Sequence, residues 1–490
     1  MNFYVKKDAY NRSDLWAFMV LGLFWCLFFV TAKSAFSLSL VDDAYIFLRV
    51  VENIISGEGW VYNPSDTSGV NPLTSPLFPL FVLLLRLAGL TMESAIINVY
   101  ILSLVVLSVF QYLGFRGLGR GNAVLISLLT SASGILIKSF GMETSLFLAC
   151  IAGTAYAFHE RKYMLMGVLA GLTALARPEG AALLFVVAFL TWQREKRVPV
   201  SSIIIGLFII SPWVVFSLTQ FGSVLPHTVS IKAVQTDLPW FSHEYNWLVF
   251  FLRQPSYELL TYSLSIIGAW KMLALCRTGY LYAVPIIMFG VIQVAAYSIM
   301  KAPVGYWWYL APGALALDIL VVLGIIILSE KLLTAKVWSK GHFLHKYGKN
   351  TLLVFVFILT IFMKLTTSPF KTIKEYRLAS DYRNVAHWIS NNTPRASRVA
   401  ATEIGYIGYY SKRPILDIHG LIHKDALSFI KRGESDWWFD RKPEIVVSHR
   451  SPWYGEPGNN EWFKKTNQDI FENNYDEVYS SGDVVVYRRY

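Results

Sequence analysis

The chain has 490 residues, room for about three or four soluble domains at ~100–200 residues each, yet 54% of it is hydrophobic, 15% aromatic and only 16% charged. Soluble domains carry roughly 25% charged residues, so the composition excludes a string of soluble domains, a disordered chain and a fibre, and points to a polytopic membrane protein. Lys plus Arg number 44 against 33 Asp plus Glu, a formal net charge of +11, which in a membrane chain marks positive cytoplasmic loops rather than a nucleic-acid partner.

In chain order, residues 15–32 form the first apolar run, and its length and the charged motif directly after it favour a retained helix over a cleaved signal peptide. Further runs cover 73–90, 96–113, 122–137, 144–158, 163–176, 180–192, 201–219, 259–276, 280–300, 309–329 and 351–367. The pattern predicts a mainly α, polytopic helix bundle of about 11–13 spans. Lys6, Lys7 and Arg12 precede the first run, so the N terminus is expected in the cytoplasm. Arg116 with Arg120, Arg161 with Lys162, the Arg194–Arg197 cluster, Arg277 and the Lys331–Lys349 segment mark further inner loops. Pro72, Pro76 and Pro79 predict that 73–90 is broken or re-entrant, which keeps Arg116 inside. Cys26, Cys150 and Cys276 lie far apart in apolar runs and read as small buried hydrophobes, with neither disulfide nor metal spacing.

Residues 1–369 thus form the membrane domain, with 37–72 as its first extracytoplasmic loop. Residues 370–490 change character, with 18 basic and 16 acidic residues. Strand-like segments at 397–402, 414–418, 444–448 and 483–487 alternate with helix-like segments at 382–391 and 424–431, predicting a small α/β domain on the extracytoplasmic side.

The charged groups at the outer ends of the spans carry the chemistry. Asp42 and Asp43 follow the first span directly; two adjacent carboxylates at a membrane boundary are costly unless solvated or functional. Like-charge proximity raises the proton affinity of one of them, which suits a general base; the ordinary reading is an acidic helix cap. Glu143, the Arg177-Pro178-Glu179-Gly180 junction, His227, Lys232, Lys301 and Tyr306 stand at other outer ends, where each alone reads as a snorkelling base or interface aromatic. Together, acids on one loop and bases on its neighbours suit a phosphate-bearing lipid whose headgroup reacts at one membrane face.

The motifs Asp42-Asp43-Ala44-Tyr45, Gly57-Glu58-Gly59, Tyr62-Asn63-Pro64, Asn71-Pro72, Gly141-Met142-Glu143-Thr144 and Ala176-Arg177-Pro178-Glu179-Gly180 resemble those of the GT-C membrane glycosyltransferases. The likeness is strongest to the bacterial branch containing the arabinofuranosyltransferases. Pro226-His227-Thr228 with Lys232, Thr402-Glu403-Ile404-Gly405 and Leu416-Asp417-Ile418-His419-Gly420-Leu421 extend it into the tail. The resemblance implies a multi-pass protein of the bacterial inner membrane that transfers a sugar, such as arabinofuranose, from a polyprenyl-phosphate donor with inversion, on the periplasmic side. It implies Asp42 or Asp43 as the base. Arg177, Lys232 and Lys301 would hold the donor phosphate, with His227 and Tyr306 as hydrogen-bonding neighbours, and Glu143, Glu179 and Tyr45 would orient substrate. No cofactor or metal is required, since cationic side chains can neutralise the phosphate. A surface glycan, lipopolysaccharide or a surface protein such as a pilin remain open as acceptors. A transporter or lipid-linked-glycan flippase also needs charges within a multi-span bundle, although transporters place them at the midplane; a non-catalytic envelope scaffold is the third class.

Overall fold

The computed structural model describes residues 12–35, 40–64, 69–235, 258–300, 306–334, 373–459 and 463–490. The 351–367 run, Lys301 and most of the Lys331–Lys349 segment lie outside the described residues. The protein is mostly helical, a multi-pass membrane bundle with a small sheet domain at its C-terminal end.

The bundle begins with α1 (Arg12–Ala35), anchored by its buried Asp14, which accepts the Tyr112 hydroxyl at 2.6 Å. Then follow α2 (Asp42–Ile55), α3 (Leu77–Leu87), α4 (Met92–Phe115), α5 (Arg120–Ser131), α6 (Gly134–Lys138), α7 (Thr144–His159), α8 (Tyr163–Ala176), α9 (Ala181–Glu195), α10 (Val200–Phe221) and α11 (His227–Gln235). The later bundle helices are α12 (Glu258–Arg277), α13 (Ala283–Ile299) and α14 (Ala311–Thr334). Among the described residues, Met92–Leu118, Val200–Phe221 and Trp308–Ser329 are long and apolar enough to cross a membrane alone, and several shorter apolar helices pack beside them. Helix α3, with 11 residues, is only ~16 Å long at 1.5 Å per residue, well short of the ~30 Å hydrocarbon thickness. The predicted single run at 122–137 is two helices: Ser133 is extended (φ −67°, ψ 140°) and opens α6 afresh. Cys150 is buried as expected, whereas Cys26 is exposed on α1.

The tail comprises α15 (Ile373–Asn392), α16 (Ile404–Ser411), α17 (Ala426–Ile430) and α18 (Lys465–Asn474) around a five-stranded sheet. Strands β1 (Val399–Ala401), β2 (Ile415–Asp417), β3 (Ile445–His449), β4 (Tyr475–Ser481) and β5 (Val484–Arg489) are ordered β2-β1-β3-β5-β4. The first three are mutually parallel; β5 pairs antiparallel with β3, and β4 forms the antiparallel edge beyond it. The three parallel strands are buried along their length, which explains their continuous apolar runs.

The tail is fastened to the bundle through α2. Along that helix Asp42, Tyr45, Arg49 and Glu52 recur at i, i+3, i+7 and i+10, one stripe of a 3.6-residue period, and each meets the tail. Asp42 accepts the backbone N–H groups of Gly405 at 2.8 Å and Tyr406 at 2.7 Å, closing the N terminus of α16. Tyr45 packs against Tyr406, Tyr409 and Tyr410. The buried Arg49 donates to the carbonyls of Tyr62 (2.9 Å), Arg413 (2.7 Å) and Gly408. Glu52 pairs with Lys412. The first loop continues the seam: the Tyr62 hydroxyl donates to the Ile404 carbonyl at 2.6 Å, and the Asn63 side chain makes paired bonds with the Ile415 backbone at 2.8 and 2.9 Å. Helix α16 lies this close because Gly405 and Gly408 face α2; a Cβ at either would overlap the Asp42 backbone or the Tyr62 hydroxyl.

Candidate active site

Between α2, the turn before α7, helix α11, the aromatic step before α14 and the tail lies a cleft with about 510 Å³ of atom-free space, its open mouth included. Asp43, Ile46 and Phe47 of α2 line one side, with Pro72, Leu73 and Thr74 of the segment leading into α3 beside them. Met142 and Glu143, Thr228 and Lys232, and Trp308 and Tyr309 follow around the rim. Ile404, Leu421 and Ile422 of the tail form the remaining wall.

Adjacent residues on a helix point about 100° apart, and this parts the two aspartates. Asp42 faces the tail and is spent on the α16 N terminus, whereas Asp43 faces the cleft. Burial raises the proton affinity of Asp43, opposed by the positive charges of Lys232 and Arg177 nearby. Burial also raises Asp42, to about 7, against the lowering effect of its two backbone donors, and Asp43 adds to the rise. The carboxyl of Glu403, at the head of α16, hydrogen-bonds Asp42 and is pushed well above its usual range by burial and by both aspartates. Asp42 has backbone N–H donors that stabilise its anion, so Glu403 holds the proton of this pair.

Arg177 is buried between two carboxylates, with Glu143 at 2.5 Å and Glu179 at 2.5 Å. Tyr297 also donates to Glu179 at 3.0 Å. The backbone break that aims Arg177 inward is extended (φ −157°, ψ 140°) and enforced by Pro178, which starts a new turn. Glu143 is 1% exposed; one of its oxygens holds Arg177, and the other, Oε2, is buried with no hydrogen-bond partner among the described residues. The Thr228 hydroxyl is likewise buried and without a partner among the described residues. Two unsatisfied oxygens on one cleft are places where a substrate hydroxyl gains a bond.

Lys232 hangs over the Tyr306 ring, its ammonium 3.9 Å from the ring centre, with Trp308 and Tyr309 each at 5.6 Å. The Arg177 guanidinium sits 4.7 Å from the Tyr309 ring, so both bases share one aromatic step. Of the residues singled out from the sequence, Asp43, Glu143 and Lys232 line the cleft, with Arg177, Glu179 and Tyr306 directly behind. Tyr45 stands in the tail interface. His227 bonds the His423 carbonyl of the tail at 2.9 Å. Lys301 is not among the described residues.

Comparison with solved structures adds the fold relationship. ArnT from Cupriavidus metallidurans bound to undecaprenyl phosphate superposes with a TM-score of 0.61 at 13% identity, over 98% of this chain and 98% of that one. The apo state of the same protein gives 0.60 at 14% identity, over 97% and 98%. The chain has the fold of ArnT. The mycobacterial arabinofuranosyltransferase AftD also matches, at TM-score 0.49 and 12% identity, over 99% of this chain and 40% of that one. A family described as a domain of unknown function (DUF8728) matches residues 371–487, and no curated protein matches the sequence.

Thr228, Met142, Ile404 and Leu421 stand inside the motifs quoted from the sequence without a role assigned, and Ile422 stands outside them; the structure makes all five cleft residues. The tail residues carry no chemical signal; only their juxtaposition with α2 reveals them. Thr228 had one available signal, its i, i+4 spacing from Lys232 on one helix face.

Proposed function

We propose that the protein is an integral-membrane glycosyltransferase that moves a sugar from a polyprenyl-phosphate donor to a hydroxyl of a surface glycan, lipopolysaccharide or protein, with inversion, on the periplasmic side of the bacterial inner membrane. The observation that carries this is the Asp43 carboxylate, set in a cleft against a lysine on an aromatic step, in a fold shared with a protein solved with undecaprenyl phosphate bound. Asp43 takes the proton of the acceptor hydroxyl as its oxygen attacks the anomeric carbon. The bond from that carbon to the phosphate oxygen breaks, and polyprenyl phosphate leaves with the electron pair. Lys232 stabilises the negative charge gathering on the phosphate, an electrostatic role that cationic side chains fill without a metal. Arg177, held by Glu143 and Glu179, fixes the position of Glu143, whose free oxygen accepts a sugar hydroxyl.

The test is mass spectrometry of surface glycans and glycoproteins from a deletion strain complemented with wild type or with Asp43→Asn at matched abundance. Loss of one glycan species on deletion, restored by wild type alone, is expected. Full restoration by Asp43→Asn refutes the base assignment, and an unchanged glycan profile on deletion refutes the transferase reading.

A further inference from the structure

We propose that the tail domain sets the position of Lys232, with His227 and Ile231 as the positioning residues; this rests on the reading of Lys232 as the group that meets the donor phosphate. Helix α11 presents two faces. His227, Ile231 and Val234, at i, i+4 and i+7, turn to the tail: His227 bonds the His423 carbonyl, Ile231 is fully buried among Leu416, Ile418, Ala426 and Ile430, and Val234 packs on the same cluster. Thr228 and Lys232, at i and i+4, turn to the cleft. Ile231 reaches the turn of the tail at Gly420 (φ +78°), where its Cδ1 atom lies 3.8 Å from the position a Cβ would take, an ordinary van der Waals contact. Nine residues make a helix too short to hold itself in water. The place of α11, and of the ammonium over Tyr306, therefore depends on the tail that grips its other face.

Two consequences distinguish this from a merely structural contact. Detaching α11 from the tail lowers affinity for a polyprenyl phosphate as much as removing the lysine does, and the two changes do not add, because the second removes what the first has already displaced. Ile231→Asp detaches the helix by placing an unpaired carboxylate in an apolar cluster, and Ile231→Ala does so more mildly by leaving a cavity.

The experiment measures undecaprenyl phosphate binding to the full-length protein in detergent, for wild type, Lys232→Ala, Ile231→Asp, Ile231→Ala, Ile231→Val and the double variant Ile231→Asp/Lys232→Ala, with thermal unfolding recorded for each. A lost charge-assisted phosphate contact predicts a roughly tenfold to hundredfold weaker Kd for Lys232→Ala. Ile231→Asp should match it, Ile231→Ala should fall between, Ile231→Val should stay within about twofold of wild type, and the double variant should be no weaker than Lys232→Ala. If Ile231→Asp unfolds the protein, Ile231→Ala carries the same comparison. Ile231 variants that bind normally while Lys232→Ala does not overturn this inference alone, as do losses that multiply in the double variant. Normal binding by Lys232→Ala overturns the phosphate reading and this inference with it.

Discussion

Replacing Asp42 and Asp43 separately by asparagine tests the division of labour between two neighbouring residues of one type. The Asp42 carboxylate accepts two backbone N–H groups of α16, at 2.8 and 2.7 Å. An asparagine keeps one acceptor but turns its NH₂ group toward the second donor, so one charge-assisted bond is lost, about 1.5–3 kcal/mol. Loss of the anion at the helix N terminus removes about 0.3–1 kcal/mol more. Against this, the neutral side chain no longer bears the burial that pushes Asp42 up to about 7, which offsets a part. The net is about 2 kcal/mol of weaker docking, roughly a thirtyfold shift in the docked-to-undocked ratio at 1.4 kcal/mol per decade. The rest of the seam, from Arg49 to Asn63, keeps the docked form dominant. Asp42→Asn should therefore lower the thermal unfolding temperature and speed limited proteolysis of the tail, with transfer reduced less than tenfold. Asp43→Asn removes the proposed general base, for which a loss of about 10²–10⁴ in rate is expected, and should leave unfolding unchanged, since no backbone donor meets Asp43 among the described residues. An Asp42→Asn variant as inactive as Asp43→Asn, with unaltered unfolding, would refute the reasoning.

Arg49→Met leaves three buried carbonyls without their donor, at about 1–3 kcal/mol each; partial access of water as the seam loosens holds the total near 3–5 kcal/mol, read as early proteolytic release of residues 373–490. The Asp42–Glu403 pair gives a pH dependence. Both folded-state proton affinities are raised, to about 7 for Asp42 and well above 4.5 for Glu403, so the folded protein holds protons that the unfolded chain releases above pH ~4–4.5. Stability should fall as pH rises from about 5 through 7; Glu403→Gln, which keeps a donor toward Asp42 but cannot ionise, should flatten the unfolding-temperature profile over that range, and an unchanged slope would remove the pair as its source.

Much of the bundle was legible because burial in lipid leaves long apolar runs, and the parallel strands of the tail because they are buried along their length. What stayed hidden has a physical cause in each case. The break within 122–137 rests on Ser133 and Gly134, residues that a hydropathy window averages away. Helix α16 carries two glycines, which lower helix propensity yet are what its close approach to α2 requires. Strand β4, Tyr-Asp-Glu-Val-Tyr-Ser-Ser, is a largely exposed edge whose polarity resembles a loop. Asp42, Tyr45 and His227 were recognisable as special, but a special residue can serve docking as well as chemistry, and one-dimensional spacing ranks neither above the other. The helical period does separate them once the direction of one stripe is known: Asp42, Tyr45 and Arg49 share a face, and Asp43 with Ile46 and Phe47 takes the next.

The distribution of charge around the cleft then assigns a role to each body. Among the described residues its charged lining groups, Asp43, Glu143 and Lys232, all come from the bundle side, while the tail contributes Ile404, Leu421 and Ile422, which are wholly apolar. An apolar wall adds no catalytic group; it displaces water. The interaction of two unit charges at 4 Å is about 1 kcal/mol in water but about 4 kcal/mol at an effective dielectric of 20, so the same lysine acts more strongly on a phosphate when that wall is in place. The two helices that bear Asp43 and Lys232, α2 and α11, each turn their other face to the tail. On the proposed reading, one docking event would place the base, place the lysine and exclude the solvent that would screen them, and a chain with its tail undocked would keep every charged residue of the site while losing the geometry and the low dielectric that make them effective.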